Sequence, residues 1–441
     1  MTASMKYNKV LITDLLLTIM KKRFLLLPFI AAALSLASCV EDELEYGTPS
    51  ADQPANTVTR AQFAEDDGSK VLSGAAQVNA KNLLKKVPVD YIDEMTDTLG
   101  RADITPEQYA EIQAFAQELT AGLTTNKAKY DACFKWITSN IKYGYEYPSG
   151  GPVDNNPYPV FTTKYAVCQG YANLLFIMMH SLDIPAFVCN GIVNLPSVFG
   201  GHAWNYVYCD KKWYVSDPTN GGSWLIDAIS SYSHLQPSSF DVVLSKENGV
   251  WINLSEYQLN VCHVENADDV FVVPFSANGY QITSFNPSMQ LPENVKQVNI
   301  GKNITTLGEN YLGLAHNAPN LEYVEVDPEN TTFASYLGTI YRKVGGEYQL
   351  TYIPSAMKCV ELMPMETIYK NTVYDHSGVE MLIVAPGTKK IEAWGIEKCP
   401  NLQIAFVPEG VEIDKNAFAD VHQSFMIIRG DYTNIPQIRE D

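Results

Sequence analysis

The chain has 441 residues, a hydrophobic fraction of 46% and a formal net charge of −19 at pH 7. This length exceeds that of one ordinary domain, so we expect about two to four globular units with a sizeable core. The first 38 residues carry five basic side chains and one acidic side chain, so the remainder has a charge near −23, which argues against nucleic acid as a partner.

The N-terminus has the pattern of an export signal. The charged segment 20–23 (MKKR) precedes an apolar run at 24–36, and Met20 is the expected start. Residues 36–39 (LASC) resemble a bacterial lipobox, which implies removal of residues 1–38 and lipidation of Cys39. The apolar run, about a dozen residues, is short for a transmembrane anchor.

Residues 39–60 are acidic and polar and are expected to form a solvated tether. Acidic residues directly after a lipidated cysteine resemble the surface-export signal of some Gram-negative lipoproteins. This favours an outer-membrane lipoprotein that is surface-exposed or faces the periplasm. Taken as a charge run alone, the segment is an ordinary solvated linker.

Two helices are predicted ahead of the central motif. Thr105 is a good N-cap, Pro106 suits the first helical position, and this helix should end near Ala121. The second helix should cover 126–140, while residues 61–104 contain short apolar clusters that indicate lead-in helices. Residues 143–160 hold many Pro and Gly residues, which predicts a long loop without regular structure that walls a cleft or forms a disordered connector.

The central motif is a cysteine at the start of an apolar helix. Residues 169–182 are rich in Ala, Leu and Met and contain no Pro, which predicts a helix with Cys168 at its N-terminus. Unpaired amide groups and the positive end of the helix dipole favour a thiolate there, so we interpret Cys168 as a nucleophile. Gly170 is expected to leave room for a substrate backbone. Alone, such a cysteine is more often a buried apolar residue.

A histidine and an aspartate follow on a predicted hairpin. Aromatic and β-branched residues flank the turn at 210–212. In an antiparallel pair that turns there, His202 and Asp217 lie opposite each other or one diagonal step apart, within side-chain reach. Each residue alone has an ordinary structural interpretation, but together with Cys168 they form the set that an activated nucleophile needs.

Three blocks in this order resemble the transglutaminase-like superfamily of papain-fold cysteine enzymes: Y-A-V-C-Q-G-Y-A at 165–172, H-A-W at 202–204 and D-P-T at 217–219. The resemblance covers roughly residues 126–220. It implies an α+β fold with Cys168 on a helical lobe as nucleophile, and with His202 as general base and acid and Asp217 as its orienting residue on an antiparallel sheet.

The same resemblance suggests which residues surround the reacting groups. Gln169, Gly170 and Trp204 are the expected substrate-binding residues. The second donor of the oxyanion hole stays open, because Tyr143 and Tyr145 lie in the right region but have no motif around them.

The remaining cysteines give no sign of a metal or redox site. None of Cys133, Cys189, Cys209, Cys262, Cys359 and Cys399 belongs to a C-x-x-C pair, so neither a metal nor a cofactor is expected. An exported protein could pair them in disulfides, but their scattered positions in apolar segments favour buried thiols.

From about residue 287 the sequence becomes repetitive. Short alternating strands recur at spacings of 22 to 26 residues, beginning near 295, 321, 381 and 402, and an inserted hairpin at 337–353 interrupts the period. The A-P-N-L and C-P-N-L segments resemble BspA-type leucine-rich repeats, which stack into a solenoid. Such repeats imply a protein or glycan binding surface, although a stalk or rigid cap is an equal alternative.

The sequence therefore predicts a catalytic domain at 61–280 and a leucine-rich-repeat domain at 281–441. The expected chemistry is acyl transfer on amide bonds of proteins or peptides, including cell-wall peptides, through a thioester that water or an amine resolves. The rival hypothesis is a non-catalytic surface binding protein or adhesin that acts through its repeats.

Overall fold

The computed structural model describes residues 63–73, 75–85, 103–144, 153–195, 198–229, 233–287, 289–308 and 318–430. The predicted signal peptide, the tether, Cys39 and Tyr145 lie outside these ranges. In the described ranges, no helix is both long enough and apolar enough to cross a membrane.

The helices of the described part precede the first long strand, apart from a short 3-10 turn at Ile226–Ala228. They are α1 (Ala76–Leu84), α2 (Pro106–Leu119), α3 (Asn126–Asn140), α4 (Pro157–Thr163) and α5 (Cys168–His180). The Thr105 hydroxyl accepts from the Gln108 amide and the Gln108 side chain accepts from the Thr105 amide, which caps α2. The helices predicted at 105–121, 126–140 and 169–182 are confirmed to within two residues at either end.

The loop predicted at 143–160 contains more regular structure than its composition indicated. Strand β1 (Lys142–Tyr143) pairs in parallel with β2 (Tyr165–Ala166), and α4 begins at Pro157. Proline is tolerated in a first helical turn because its missing N–H has no partner there in any case. The prediction that no regular element could form there was therefore wrong at both ends of this segment.

A five-stranded antiparallel sheet follows α5, in the order β6-β5-β4-β3-β7. Its strands are β3 (Ala186–Leu195), β4 (Val198–Cys209), β5 (Lys212–Asp217), β6 (Gly222–Leu225) and β7 (Leu235–Phe240). Asp210 and Lys211 join β4 to β5 with φ angles of 49° and 66°, as a tight hairpin turn requires. The predicted hairpin is confirmed.

The two faces of this sheet belong to different hydrophobic cores. Ala203 and Val207 of β4 pack with α2, α3, α4 and α5. Trp204 and Tyr206, which alternate with them, pack on the other face with the strands that follow. The sheet thus stands between the helices and the C-terminal half of the chain.

A second sheet and the first parallel rungs of the repeats share the core that contains Trp204 and Tyr206. The strands of these two regions are β8 (Val243–Glu247), β9 (Val250–Ser255), β10 (Gln258–Val264), β11 (Val270–Val272), β12 (Ser276–Ala277), β13 (Tyr280–Phe285), β14 (Gln297–Ile300), β15 (Thr306–Leu307) and β16 (Tyr323–Val326). The parallel ladder starts where β11 pairs with β14, and β13 pairs with β10. The predicted domain boundary at 280 therefore falls at the first residue of a strand inside a continuous core.

The remaining strands confirm the predicted repeats. An antiparallel meander, β17 (Phe333–Tyr336), β18 (Thr339–Val344) and β19 (Glu347–Tyr352), stands at the predicted insertion. Three parallel stacks then form a β-solenoid: β20 (Cys359–Glu361), β23 (Met381–Ile383), β26 (Ile404–Val407) and β29 (Met426–Arg429); β21 (Thr367–Ile368), β24 (Lys390–Ile391) and β27 (Glu412–Ile413); β22 (Val373–Tyr374), β25 (Ile396–Glu397) and β28 (Phe418–Ala419).

The asparagine of the repeated P-N-L segments has a structural role. The side-chain amide of Asn320 donates to the Glu293 carbonyl at 2.8 Å, and that of Asn401 donates to the Ser377 carbonyl at 2.7 Å. Each bond joins one repeat to the preceding one. The repeated asparagine therefore couples neighbouring rungs, as a solenoid that folds by stacking requires.

Candidate active site

Cys168 opens helix α5, as its sequence position predicted. The N-cap residue Val167 has no side chain that could accept from the first-turn amides, and the first turn contains no acidic residue. The Gly170 amide donates to the Val167 carbonyl at 2.9 Å, which leaves the Cys168 and Gln169 amides for an anion at the thiol position. The Cys168 side chain is half-buried against the helical core.

His202 and Asp217 meet on the neighbouring strands. His202 Nε2 lies 3.0 Å from Asp217 Oδ2, and both residues are buried. The β4–β5 register pairs Asn205 with Ser216, so its continuation places Asp217 opposite Trp204 and one diagonal step from His202. Of the two geometries left open by the sequence, the structure has the diagonal one.

The pKa of Cys168 falls and that of His202 rises, which is the direction that favours an ion pair. Burial alone would raise the pKa of the Cys168 thiol. Hydrogen bonds from His202 and from the Ala203 and Gln169 amides, together with the charge of His202, hold this pKa below its ordinary value. Burial alone would lower the pKa of His202, but hydrogen bonds to Asp217 and Cys168 and their negative charges raise it to about 9.

The ring orientation assigns one nitrogen to each partner. Because Nε2 faces Asp217, Nδ1 is the ring nitrogen that remains to exchange a proton with the Cys168 sulfur. A protonated His202 donates from both nitrogens, one to the Asp217 carboxylate and one to the Cys168 thiolate. The imidazole thus has one nitrogen on the Asp217 carboxylate and the other left for the thiol at the start of α5.

Asn220 holds the carboxylate of Asp217 in place. Its side-chain amide donates to Asp217 Oδ2 at 2.8 Å, and its backbone N–H donates to Oδ1 at 3.3 Å. The sequence analysis did not single out Asn220. The signal was the Asp-x-x-Asn spacing after β5, in which an aspartate accepts from the backbone three residues ahead, as at the start of many turns.

The segment before α4 is fastened to the nucleophile helix by two asparagines. Asn155 Oδ1 accepts from the Val167 N–H at 3.2 Å, and Asn173 Nδ2 donates to the Asn155 carbonyl at 3.0 Å. Gln169 Nε2 donates to Asn173 Oδ1 at 2.8 Å, which lays the Gln169 side chain along the helix. The role of Gln169 toward substrate stays a prediction.

Gly170 is needed for packing inside the protein, and its role toward substrate stays a prediction. The residue is buried, and a Cβ atom there would lie 2.9 Å from each of Ala166 Cβ, Asn155 Oδ1 and Val160 Cγ2. Glycine is required because α4 and β2 approach the helix closely. Its absent side chain makes room for these neighbours.

Trp204 packs against His202. Its side chain is fully buried, and its ring stacks on the His202 ring at a centroid distance of 5.8 Å and an angle of 27°. The indole lies over Gly191, where a Cβ atom would come within 2.7 Å of it. Trp204 therefore supports one face of the imidazole ring, and its role toward substrate stays a prediction.

No second donor for the oxyanion hole is identified among the described residues. Tyr143 pairs with Ala166, two residues before Cys168, and its ring stacks on Tyr171 at 6.4 Å. Tyr145, the other candidate, is outside the described ranges.

No group of three or more His, Cys, Asp or Glu residues that could hold a metal ion occurs among the described residues. The seven described cysteines form no disulfide with one another. Burial raises the pKa of the thiols of Cys133 and Cys209 to about 12. Cys168 is thus the described cysteine with the lowered pKa.

A comparison with known protein families matches the part of the chain that contains the candidate active site. The model of the transglutaminase-like superfamily matches residues 113–218, a range that contains Cys168, His202 and Asp217. None of the curated proteins compared with the chain matches it.

Solved structures resemble parts of the chain. A candidate cysteine protease from Cytophaga hutchinsonii is 17% identical, with 39% of this chain and 56% of that chain covered and a TM-score of 0.23. The periplasmic domain of TgpA from Pseudomonas aeruginosa is 21% identical, with 27% and 51% covered and a TM-score of 0.21. A leucine-rich repeat protein from Eubacterium ventriosum is 17% identical, with 37% and 54% covered and a TM-score of 0.18.

The chain spans about half the length of each of these three solved structures. The family match at 113–218 coincides with the helices and strands that bring Cys168 to His202. The chain thus carries a domain of the transglutaminase-like superfamily, followed by a parallel β-solenoid.

Proposed function

We propose that this protein is a cysteine acyl-transfer enzyme that acts on amide bonds of proteins or peptides. One arrangement carries the proposal: His202 Nε2 lies 3.0 Å from the buried Asp217 Oδ2, and the same imidazole lowers the pKa of the Cys168 thiol at the start of α5. A histidine placed between a helix-start cysteine and a carboxylate has little structural purpose, because burying two acidic groups and a base is costly unless the site uses them.

The first half-reaction forms a thioester. The Cys168 thiolate attacks the substrate carbonyl carbon, and the electron pair of the C=O bond moves to oxygen, where the amides at the start of α5 stabilise it. As the tetrahedral intermediate collapses, the C–N bond breaks and the His202 imidazolium gives its proton to the leaving amine. The acyl group is then held by Cys168 and His202 is neutral.

The second half-reaction releases the acyl group. Neutral His202 accepts a proton from water or from a second amine, which attacks the thioester carbonyl, and the Cys168 thiolate leaves. Water gives hydrolysis and an amine gives transamidation. The residues described at the site serve both outcomes equally, so the proposal covers peptidase, amidase and crosslinking activity.

The proposal places the enzyme at a bacterial cell surface. The lipobox-like segment 36–39 and the acidic residues after Cys39 support an outer-membrane lipoprotein that is surface-exposed or faces the periplasm. Its substrates would then be proteins or peptides at that surface, including cell-wall peptides. Replacing Cys39 by Ala should release the protein from the membrane fraction, and tight association after that change would contradict the anchor.

A second candidate function is binding through the repeats without catalysis. Tyr369 and Trp394 are 55% and 41% exposed on the solenoid, and exposed aromatic rings are typical of protein and sugar contacts. In this alternative the protein is an adhesin, and the Cys168 site is a relic.

A mass-spectrometric screen separates the two functions. Mixtures of peptides and of muropeptides are incubated with the wild-type protein and with Cys168→Ala, and Cys359→Ala, which changes a cysteine of the solenoid, is the matched control. The enzyme hypothesis predicts cleaved or crosslinked products with the wild type and with Cys359→Ala but not with Cys168→Ala. Products with none of the three proteins, together with retained ligand binding by the solenoid, would favour the adhesin.

A further inference from the structure

A layer of buried polar side chains lies between the helices and the sheet. Tyr130 of α3 donates its hydroxyl to Ser216 Oγ at 2.8 Å and lies 2.6 Å from Ser223 Oγ. Asn205 of β4 lies beside Ser216 in the β-ladder. Tyr130, Asn205 and Ser216 each have 0% exposure, in a position where apolar residues would be expected.

Asn205 connects the strand of His202 directly to the helix of Cys168. Its Nδ2 donates to the backbone carbonyl of Ala172 at 3.0 Å. Ala172 lies one helical turn beyond Cys168, and Asn205 lies three residues beyond His202. The bond therefore joins the two elements close to Cys168 and His202, within one turn of the helix and three residues of the strand.

The carbonyl that Asn205 contacts does not need this partner. Ala172 lies inside α5, where helical carbonyls already accept from the amide four residues ahead. Asn205 Oδ1, moreover, is buried with no hydrogen-bond partner. A side chain that is kept although half of its polar capacity is unsatisfied suggests a purpose other than stability.

Behind the Cys168–His202 pair, α5 and β4 also meet through apolar side chains, which lack this directionality. Ala172, Ala203 and Val207 belong to the same core as α5, and such contacts allow a helix to shift along a sheet at little cost. A hydrogen bond restricts both distance and angle. It can fix the helix relative to the strand where the apolar surfaces do not.

We propose that Asn205 is a positioning residue that sets the register of the nucleophile helix against β4 and so keeps the Cys168 sulfur within hydrogen-bond reach of His202. The inference rests on the proposed function for its catalytic meaning. Its test reads out the thiol itself, so that the two can fail separately.

The test measures the pH dependence of iodoacetamide alkylation at Cys168, followed on the Cys168 peptide by mass spectrometry. Asn205→Leu keeps the approximate shape, removes the donor and also removes the unpartnered oxygen. The variant should fold, but its alkylation midpoint should rise toward the ordinary thiol value of about 8.5. Asn205→Ala should give the same upward shift, which covers the case in which leucine disturbs folding.

Tyr130→Phe is the matched control for a purely structural effect. It removes a buried hydroxyl from the same layer but not from a bond to α5, so it should lower the free energy of unfolding and leave the alkylation midpoint unchanged. If Asn205→Leu and Asn205→Ala fold and keep the wild-type midpoint, the positioning role is refuted.

The remaining outcomes separate this inference from the proposed function. A low wild-type midpoint that rises in the Asn205 variants, without turnover of any substrate, would support the positioning role and contradict the proposed activity. A wild-type midpoint equal to that of an ordinary thiol would contradict both, because there would be no ion pair for Asn205 to position.

Discussion

At the scale of single residues, hydrogen bonds run from Asn220 through Asp217 to His202, whose imidazole lowers the pKa of the Cys168 thiol. The sequence motifs predicted Asp217, His202 and Cys168, because each stands in a recognisable block and the blocks occur in a fixed order. They could not identify Asn155, Asn205 or Asn220. These side chains bond to positions that no periodic pattern marks, and asparagine is common in loops and turns for other reasons.

Cys168 and His202 should behave as one functional unit. Cys168→Ala and His202→Ala should each abolish turnover, and the double variant should be little worse than either single one, because each removes the same activated thiolate. Asp217→Asn should be milder. The corresponding change in a serine protease triad costs about 10⁴-fold, which is an upper guide because cysteine is intrinsically more nucleophilic. Rates on an identified peptide substrate test this, and near-full activity of a folded His202→Ala variant would contradict it.

Asn220→Ala should weaken catalysis without removing any reacting group. The change deletes the 2.8 Å side-chain bond to Asp217, so the carboxylate should hold the His202 ring less firmly. We expect roughly a tenfold loss in kcat, in line with about 1.5 kcal/mol for a hydrogen bond to a charged group.

Thr219→Val is the neighbouring control for Asn220→Ala. The Thr219 hydroxyl is buried without a hydrogen-bond partner, so its isosteric replacement should leave kcat close to the wild-type value. Equal effects of the two changes would show that the loop after β5, and not the Asn220 amide, determines the rate.

At the scale of elements, hydrophobic periodicity and caps predicted helices α2, α3 and α5 and the β4–β5 hairpin. The failures came where tertiary contacts overrode local composition. Helix α4 forms in a Pro-rich segment because Val160 and Phe161 are buried in the helical core, and packing supplies what the sequence propensity lacks. The packing role of Gly170 was not predicted, because a glycine beside a nucleophile indicates close approach but does not say which neighbour approaches.

Gly170→Ala should destabilise the helical lobe. The new methyl group would lie 2.9 Å from three atoms, including the Asn155 Oδ1 that accepts from the Val167 amide. Overpacking of this kind costs about 1–3 kcal/mol, and urea unfolding measures it. At Gly200 a Cβ would meet nothing within 4 Å, so Gly200→Ala should leave the free energy of unfolding unchanged, and equal losses for both variants would refute the packing explanation.

At the scale of the whole molecule, the sequence predicted two successive domains, but their packing is continuous. Phe187 and Trp204 of the five-stranded sheet share one core with Val298 and Val324 of the first parallel rungs, and the solenoid core that begins at Ile353 is separate. Composition showed where the repeats begin but not that the first of them cover the back of the sheet. The boundary that separates the cores lies near residue 353, after the meander.

Truncation tests this boundary. A chain that ends at residue 280 should aggregate, because it lacks β13 and so exposes the edge of β10 that hydrogen-bonds to β13. A chain that ends at residue 357 keeps the whole first core and should stay folded and monomeric, with the alkylation behaviour of Cys168 retained. Size-exclusion chromatography and thermal unfolding compare the two. A well-folded chain ending at 280 would restore the boundary that the sequence predicted.

The central claim is that Cys168 and His202 form a thiolate–imidazolium pair. Its most direct test is the rate of Cys168 alkylation as a function of pH in the wild-type protein and in His202→Ala. The pKa of the thiol is lowered and that of His202 is raised to about 9, so the pair should exist between these two values and be lost as the pH leaves that window on either side. The wild-type midpoint should lie well below the ordinary thiol value of about 8.5, and His202→Ala should move it up to or above that value. Identical midpoints for the two proteins would contradict the account.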